Sequence, residues 1–216
     1  MKNQQKGLET KNKILKVSRR LFYSRGLVET TSRMISEESG TNLGLLTYYF
    51  QGKTEIALQI YSDLRSEFDA LIVENEPDLS DEDIFLLSSA IELYLCLTNN
   101  NFCRFYNQFT NDPKNRVMIQ KHIMETLQRY SQDYSDDIRA TLATLSISAI
   151  KPALVDYIIQ HPNEVEPDIY LKYYIEQQLH YLSHNATDSQ FYIDKLHSYY
   201  LNVADNFTPV MTKLHN

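Results

Sequence analysis

The sequence predicts an all-α fold, and three observations lead to this expectation. Only five of the 216 residues are glycine and six are proline, so few positions favour turns. Apolar residues recur at intervals of three and four almost throughout, with little of the alternation that marks strands. Helix-capping residues precede several apolar segments, as with Ser80 and Asp83, and Asp112 before Pro113. The predicted helices cover residues 8–24, 32–39, 43–49, 53–74, 81–99, 101–110, 113–133, 136–160, 168–184 and 188–206.

The first predicted helix has a defined inward side. Its spacing places Ile14, Leu21 and Phe22 on one face, which is the pattern of a helix packed against a core. Gly26 follows as a residue that tolerates the left-handed conformation at a helix C-terminus. The helix is therefore expected to end there.

The next two predicted helices are short and are separated by a tight turn. Thr31 precedes the helix at 32–39, Gly40 turns the chain, and Asn42 can cap the helix at 43–49. A short helix, a turn and a second short helix form the spacing of a helix-turn-helix. We therefore predict an N-terminal three-helix helix-turn-helix domain over residues 1–54.

The charge is divided unevenly along the chain. Residues 1–55 contain ten Lys or Arg and five Glu, a net charge of +5, so −12 is left for the rest of a chain whose total is −7. A basic domain on an acidic body suits a protein that approaches phosphate with one end only. The charge changes inside the predicted helix 53–74, which should connect the first domain to a second one over residues 74–216.

Residues 26–53 resemble the TetR/AcrR family of bacterial transcription repressors. The resemblance lies in the stretch G-L-V-E-T-T-S-R-M-I-S-E-E-S-G-T-N-L-G-L-L-T-Y-Y-F-Q-G-K and in the preceding I-L-K-V-S-R-R-L-F. It covers about the first quarter of the chain, and the remainder agrees in length and helical character. It implies a ligand-responsive repressor that binds a near-palindromic double-stranded DNA operator as a homodimer. The polar N-terminus, which has no signal-peptide core, separately predicts a cytoplasmic location.

The resemblance also implies which residues contact DNA. In the family, the third helix enters the major groove, while the second helix and the start of the fourth contact the backbone. The corresponding positions here are Thr31, Ser32, Arg33, Asn42, Leu43, Gly44, Leu45, Thr47, Tyr48, Tyr49 and Lys53. Arg33 is the leading candidate for a base contact, because a guanidinium can bond bidentately to guanine, and Lys53 should meet a phosphate. Leu43 and Leu45 make the third helix less polar than is common in the family, which favours backbone contacts over base contacts.

The second domain is expected to bind a small-molecule effector of unknown identity. Five aromatic residues, together with a methionine and a histidine nearby in the sequence, could line an apolar pocket that has a few polar groups. These residues are Tyr94, Phe102, Phe105, Tyr106, Phe109, Met118 and His122. The alternative is that they belong to the core, as aromatic residues at helical spacing usually do.

The last two predicted helices have wide apolar faces. The resemblance implies that these helices pair with those of a second subunit in a four-helix bundle. The candidate interface residues are Ile169, Tyr173, Ile175, Leu179, Leu182, Leu196, Tyr199, Tyr200 and Val203. The alternative is that the two helices are ordinary core helices.

Other kinds of chemistry find little support in the sequence. No nucleophile elbow or phosphate-binding loop occurs, so we predict neither an enzyme nor a cofactor. Glu176, His180 and His184 share a helix face but span too far for one ion, so no metal site is predicted. Cys96 and Cys103 are predicted to be free buried thiols, with a redox switch as the alternative.

No apolar run approaches the roughly 18 residues of a membrane span, so we predict no membrane partner. One function of a different class stays open at this point. It is a helical small-molecule or lipid-binding carrier that keeps a vestigial helix-turn-helix.

Overall fold

The computed structural model describes residues 2–130, Tyr134, and residues 137–182 and 189–198. These residues are predominantly helical and contain no strand, which confirms the predicted all-α fold. The helices are α1 (Lys2–Arg25), α2 (Ser32–Ser39), α3 (Leu43–Tyr49), α4 (Lys53–Asn75), α5 (Asp81–Thr98), α6 (Asn100–Thr110), α7 (Pro113–Tyr130), α8 (Asp137–Gln160) and α9 (Pro167–Leu182). Residues 189–198 are also helical.

The largest departure from the predicted helices is at the start of α1. This helix begins at Lys2, six residues before the predicted start at residue 8. The first residues are polar and show no apolar periodicity, but lysine and glutamine are good helix formers. They therefore extend a helix whose packed face begins further along the chain.

Two predicted helix starts are confirmed by their capping bonds. At α5, the amide of Asp83 donates to Ser80 Oγ at 3.1 Å, and the amide of Ser80 donates to the Asp83 carboxylate at 3.3 Å. At α7, the Lys114 amide donates to Asp112 Oδ1 at 2.9 Å. These bonds satisfy amide groups that the first turn of a helix leaves unpaired.

The chain divides into two compact units, and the division lies inside α4. The N-terminal unit extends to Ser66, and the C-terminal unit spans Glu67–Asn202. The N-terminal unit has an apolar core to which α1, α2, α3 and α4 all contribute. Its buried residues include Ile14, Leu21, Phe22, Ile35, Leu46, Phe50, Ile56 and Ile60.

The central helix of the C-terminal unit is α5. Every residue from Phe85 to Leu93 is buried, so this helix is covered on all sides. It packs against α6, α8 and α9. Any polar side chain on this stretch must find its partner inside the unit.

Candidate nucleic-acid interface

Local hydrogen bonds build the turn between α2 and α3. Thr31 caps α2, because its hydroxyl oxygen accepts from the Met34 amide at 3.2 Å. Gly40 ends α2 in the left-handed conformation with φ of 61°, which favours glycine. Asn42 then caps α3 by accepting from the Leu45 amide at 2.8 Å.

The two short helices pack through small and apolar side chains. Ile35 and Leu46 are buried, and so are Ser36 and Ser39 of α2. Small residues allow α2 to lie close to its neighbours, while the apolar pair contributes to the core. The opposite side of both helices is consequently left to solvent.

Most of the predicted DNA-binding residues lie on this solvent side. Tyr48 is the most open of the apolar group, with 79% of its surface exposed. The other exposed positions are Thr31, Arg33, Asn42, Leu43, Gly44, Leu45 and Thr47. Ser32 and Tyr49 are half-buried. Their contacts with DNA stay a prediction.

The guanidinium of Arg33 can exchange its present partner, Glu37, for a group of the DNA. Its Nε lies 2.9 Å from Glu37 Oε1 one turn along α2, and both side chains are exposed. An ion pair in this setting contributes little to stability, because water solvates both charges well. A guanine or a phosphate could therefore replace Glu37 at low cost.

Some polar groups at the start of α3 are already engaged. The Thr47 hydroxyl donates to the Leu43 carbonyl oxygen at 2.9 Å, and the Asn42 side-chain oxygen caps the helix. The exposed leucines at 43 and 45 offer methyl groups only. This arrangement is suited to contact with thymine methyl groups more than to a dense set of hydrogen bonds to bases.

Lys53 was predicted to face the solvent and meet a phosphate, but its ammonium points toward backbone carbonyl groups. Its Nζ donates to the carbonyl oxygens of Leu27 at 2.7 Å and Thr30 at 2.8 Å, with Val28 further away at 3.4 Å. Burial lowers the pKa of the ammonium, an effect that the nearby Glu29 charge opposes. An ammonium has three donors, and these carbonyls take them. The expected phosphate contact is therefore corrected, and Lys53 instead holds the loop after α1 against the start of α4.

In the C-terminal unit, the predicted effector residues fall into two groups. Phe102, Phe105, Tyr106 and Phe109 of α6 are buried in the interior. Two pairs stack, Phe105 on Phe109 with centroids 5.9 Å apart and Phe102 on Tyr106 at 6.4 Å.

The other three lie further out. Tyr94 and Met118 are half-buried, and His122 is exposed, with its ring 6.1 Å from that of Phe85. The prediction that His122 lines an enclosed pocket is therefore wrong.

The interior also holds a charged pair that the sequence analysis missed. Lys151 Nζ lies 2.5 Å from Glu92 Oε2 and also donates to the hydroxyl of Ser89 at 2.7 Å and to its carbonyl at 3.0 Å. The rings of Tyr106 and Tyr174 lie 5.6 and 5.5 Å from the same ammonium. A single charge within each of the apolar runs A-I-E-L and A-I-K-P was the signal that could have revealed this pair.

Two further polar side chains are buried close by on the same helices. Gln178 is fully buried one turn after Tyr174, and neither its amide oxygen nor its nitrogen has a hydrogen-bond partner. The Thr144 hydroxyl, two turns before Lys151 on α8, is likewise unpaired. Buried polar groups are nearly always paired, so these atoms are exceptions within the interior of the C-terminal unit.

The two cysteines are free and buried, as predicted. Burial raises the pKa of the Cys96 thiol well above its usual value. A hydrogen bond with Cys96 lowers the pKa of Cys103, against an opposing effect of burial.

Four of the predicted dimer residues face the interior of their own subunit. These four, Ile175, Leu179, Leu182 and Leu196, are buried. They complete the core around α5 and offer no surface to a partner, which corrects the prediction.

Two other predicted dimer residues are open to solvent. Ile169 is 66% exposed, and Tyr173 is also exposed. Tyr199, Tyr200 and Val203 lie outside the described residues.

Helix α8 carries an exposed apolar surface. A stripe of apolar residues follows its outer side at intervals of three and four, and Ile138 is 70% exposed. The α8 stripe consists of Ile138, Leu142, Leu145, Ala149, Ala153 and Tyr157. A groove of about 540 Å³ beside it is lined by Ala149, Ile150, Ala153, Leu154, Tyr157, Tyr170 and Tyr173.

Helix α8 also meets a criterion of length and composition for a membrane span. Within the described residues, Ile138–Gln160 is long and apolar enough to cross a membrane by length and composition, with 33% of the apolar window buried. Core helices of soluble proteins meet the same criterion, so this is weak evidence for a span.

The residues considered for a metal site have other surroundings. Ser189 Oγ donates to Glu176 Oε1 at 3.2 Å, and the His180 ring meets Tyr181 edge-on. His184 lies outside the described residues. The absence of a metal site stays a prediction.

Comparison with solved structures identifies proteins of the same fold. The chain is similar to RolR in complex with resorcinol, with a TM-score of 0.57, 17% identity, and coverage of 87% of this chain and 94% of that one. It is similar to SmeT, the repressor of the Stenotrophomonas maltophilia multidrug efflux pump SmeDEF, with a TM-score of 0.52, 14% identity, and coverage of 79% and 88%. It is also similar to NalD, the secondary repressor of the MexAB-OprM multidrug efflux pump in Pseudomonas aeruginosa, with a TM-score of 0.51, 14% identity, and coverage of 84% and 99%.

Comparison of sequences bears on the N-terminal unit. No curated protein matches the chain. Residues 14–60, which run from the first half of α1 into α4, match the family of bacterial regulatory proteins, tetR family. This segment contains the whole helix-turn-helix with its capped turn and exposed α3. Residues 14–60 of the chain therefore carry the DNA-binding domain of the tetR family of bacterial regulatory proteins.

Proposed function

We propose that this protein is a ligand-responsive repressor that binds a near-palindromic DNA operator as a homodimer. The observation that carries the proposal is the exposed side of α2 and α3, which is held in place by capping bonds and belongs to a segment with a net charge of +5. Such a surface fits the major groove, with its phosphates on either side. Because its partner is DNA, we expect a cytoplasmic protein.

The contacts are expected to fall into two classes. Arg33 would reach a guanine edge or a phosphate, and Tyr48 would lie against the backbone or a thymine methyl group. Contacts to phosphate position the protein, and contacts to bases select the sequence. Because α3 has few polar groups, we expect each half-site to be selected only modestly by base contacts. The requirement for two half-sites at a fixed spacing should then contribute more to the selectivity for the operator.

The α8 stripe supports the homodimer. With Ile169 and Tyr173 of α9 and the adjacent groove, it forms a continuous apolar surface in the C-terminal unit. Exposed apolar patches of this kind usually mark an interaction site. A two-fold pairing of this surface would give one DNA-binding domain for each half-site, and half-sites in such dimers lie one helical turn or more apart.

The interior of the C-terminal unit supports the effector site. The C-terminal unit buries unpaired polar atoms of Gln178 and Thr144 and the apolar rings of α6, the two kinds of group that an effector site would need. The RolR complex with resorcinol is an example of this fold with a small aromatic ligand. An effector that binds one conformation more tightly than the other would shift the protein away from its DNA-binding state.

Mapping of bound DNA across the genome, followed by anisotropy titration of the recovered site, tests the proposal. Arg33→Ala should relax the preference at one base pair, by about 1–3 kcal/mol if the contact is bidentate. Lys172→Ala, an exposed lysine of the C-terminal unit, is the control and should bind as the unchanged protein does. Failure of the unchanged protein to bind any duplex at low salt would contradict the proposal.

The alternative of a carrier with a vestigial helix-turn-helix is not favoured. A vestigial motif has no reason to keep a fully capped turn and an exposed α3. Members of the family regulate transcription, and that the chain is not an enzyme stays a prediction.

A further inference from the structure

Helix α1 carries a positively charged face that lies outside the predicted DNA-binding residues. Its 24 residues include eight Lys or Arg and one Glu. Four of the basic residues, Lys6, Lys13, Lys16 and Arg20, are separated by seven, three and four positions. These intervals place them along one side of the helix. We call the three lysines the α1 basic face.

This side of α1 runs next to the helix-turn-helix. A Cβ added at Gly7 would lie 3.2 Å from the Tyr49 hydroxyl, so the start of α1 meets the end of α3. A Cβ added at Gly40 would lie 3.3 Å from Lys13 Nζ, so the middle of α1 reaches the turn between α2 and α3. Gly7 itself lies on the opposite side of α1 from Lys16, so the contact through which the α1 basic face borders the helix-turn-helix is that of Lys13 with the turn between α2 and α3.

The positive charge on this side is only partly neutralised. Arg20 forms an ion pair with Glu38 at the end of α2. None of the three lysines forms an ion pair within the part of the chain that the structure describes, although Glu9 shares their side of the helix. Lys13 and Lys16 are three positions apart, so their like charges repel each other, and a bound polyanion would relieve this repulsion.

Not every lysine of α1 belongs to this face. Lys11 lies over the ring of buried Phe50, with its Nζ 5.5 Å from the centroid. It therefore covers the core of the N-terminal unit. Lys13 has a second role, because its ammonium lies at the C-terminus of α2, where a positive charge is favourable.

We propose that the α1 basic face binds the phosphates of the duplex that α3 enters. The inference rests on the proposed function and extends it, because it adds a third DNA-contacting helix to α2 and α3. Contacts between lysine and phosphate carry no sequence information. The α1 basic face thus contributes to affinity for every duplex, specific or not.

The salt dependence of binding tests this inference with a random-sequence B-DNA duplex as the probe. The variant Lys6→Gln/Lys16→Gln avoids Lys13 and its capping role. Each lost phosphate contact should lower the slope of log K against log salt by about 0.9 in each subunit. The matched variant Lys6→Arg/Lys16→Arg keeps both charges and should keep the unchanged slope.

The outcomes separate this inference from the proposed function. A lower slope for the glutamine variant alone supports the inference, provided that its helix content by circular dichroism is unchanged. An unchanged slope in a protein that still binds DNA, and that Arg33→Ala weakens, overturns the inference and leaves the proposed function standing. Absence of binding by the unchanged protein would instead reject the proposed function.

Discussion

The two units differ in the kind of polar side chain that they bury, because among the described residues only the C-terminal unit buries charged and amide groups. In the N-terminal unit, Thr31 and Asn42 cap helices at the surface, and the core contains mainly aliphatic and aromatic side chains. In the C-terminal unit, Lys151, Glu92 and Gln178 are all buried. A core of the first kind fixes one conformation, whereas buried polar groups make stability depend on whether every partner is in place.

This difference corresponds to two tasks. A DNA-binding domain must present a fixed surface, and in the described part of this one the only buried polar side chains are small hydroxyls, while caps hold the turn. A sensor must change its preferred conformation when a small molecule arrives. Buried polar groups can serve this purpose, because a ligand that pairs with the amide of Gln178 would stabilise only the conformation in which it fits.

The largest expected effect comes from breaking the buried pair. Lys151→Met should lower the free energy of unfolding by about 3–5 kcal/mol, because it leaves Glu92 buried and uncompensated. Urea denaturation at fixed protein concentration measures the change. The double variant Lys151→Met/Glu92→Met should recover much of the loss, and a single variant as stable as the unchanged protein would show that the pair is not buried.

Lys53 should have the next largest effect. Lys53→Met removes hydrogen bonds from a charged donor to the loop after α1, and such bonds contribute about 1.5–3 kcal/mol each. DNA affinity should fall because α2 loses its support, yet the slope of log K against log salt should stay the same. A lower slope would instead assign Lys53 to a phosphate.

A smaller effect is expected at the turn of the helix-turn-helix. Gly40→Ala should destabilise the N-terminal unit by roughly 1 kcal/mol, since its φ of 61° is unfavourable for a residue with a Cβ. Gly40→Asn is the matched control and should cost less, because asparagine tolerates this conformation. Thermal denaturation of both variants gives the comparison, and equal losses would point to crowding against Lys13 instead.

The smallest effect concerns the cysteines, and it reports on how readily the C-terminal unit opens. The lowered pKa of Cys103 means that its thiolate forms at lower pH than an ordinary cysteine, whereas Cys96 stays protonated. Iodoacetamide should therefore label Cys103 before Cys96, and labelling should rise as the pH approaches the pKa of Cys103 from below. Mass spectrometry of the native protein distinguishes the two sites, and equal labelling would contradict the hydrogen bond between them.

The sequence was most informative where local chemistry decides the structure. The bounds of α2 and α3 were predicted to the residue, because Thr31, Gly40 and Asn42 form caps that depend on neighbouring residues only. The start of α1 was missed because its first turns have no apolar periodicity. The inward position of Lys53 was missed because the sequence does not show whether a lysine at the start of a helix contacts a phosphate or a backbone carbonyl.

The dimer surface shows a second limit of prediction. α8 is apolar on nearly every side, so its sequence does not distinguish the face toward the core from the face toward a partner. The candidates on α9 and the following helix were chosen by periodicity, which marks a buried face equally well in a core and in an interface. Only the packing in the structure showed that Leu179 and Leu196 are buried in the core whereas Tyr173 is exposed.

The α8 stripe also has a consequence for gene control. If subunits must pair through it before two half-sites can be occupied together, the amount of competent repressor rises with the square of subunit concentration when monomers predominate. A twofold change in expression would then alter operator occupancy up to fourfold at low levels. A few hundred square ångströms of apolar surface would thus set a threshold of protein abundance below which the regulated genes escape repression.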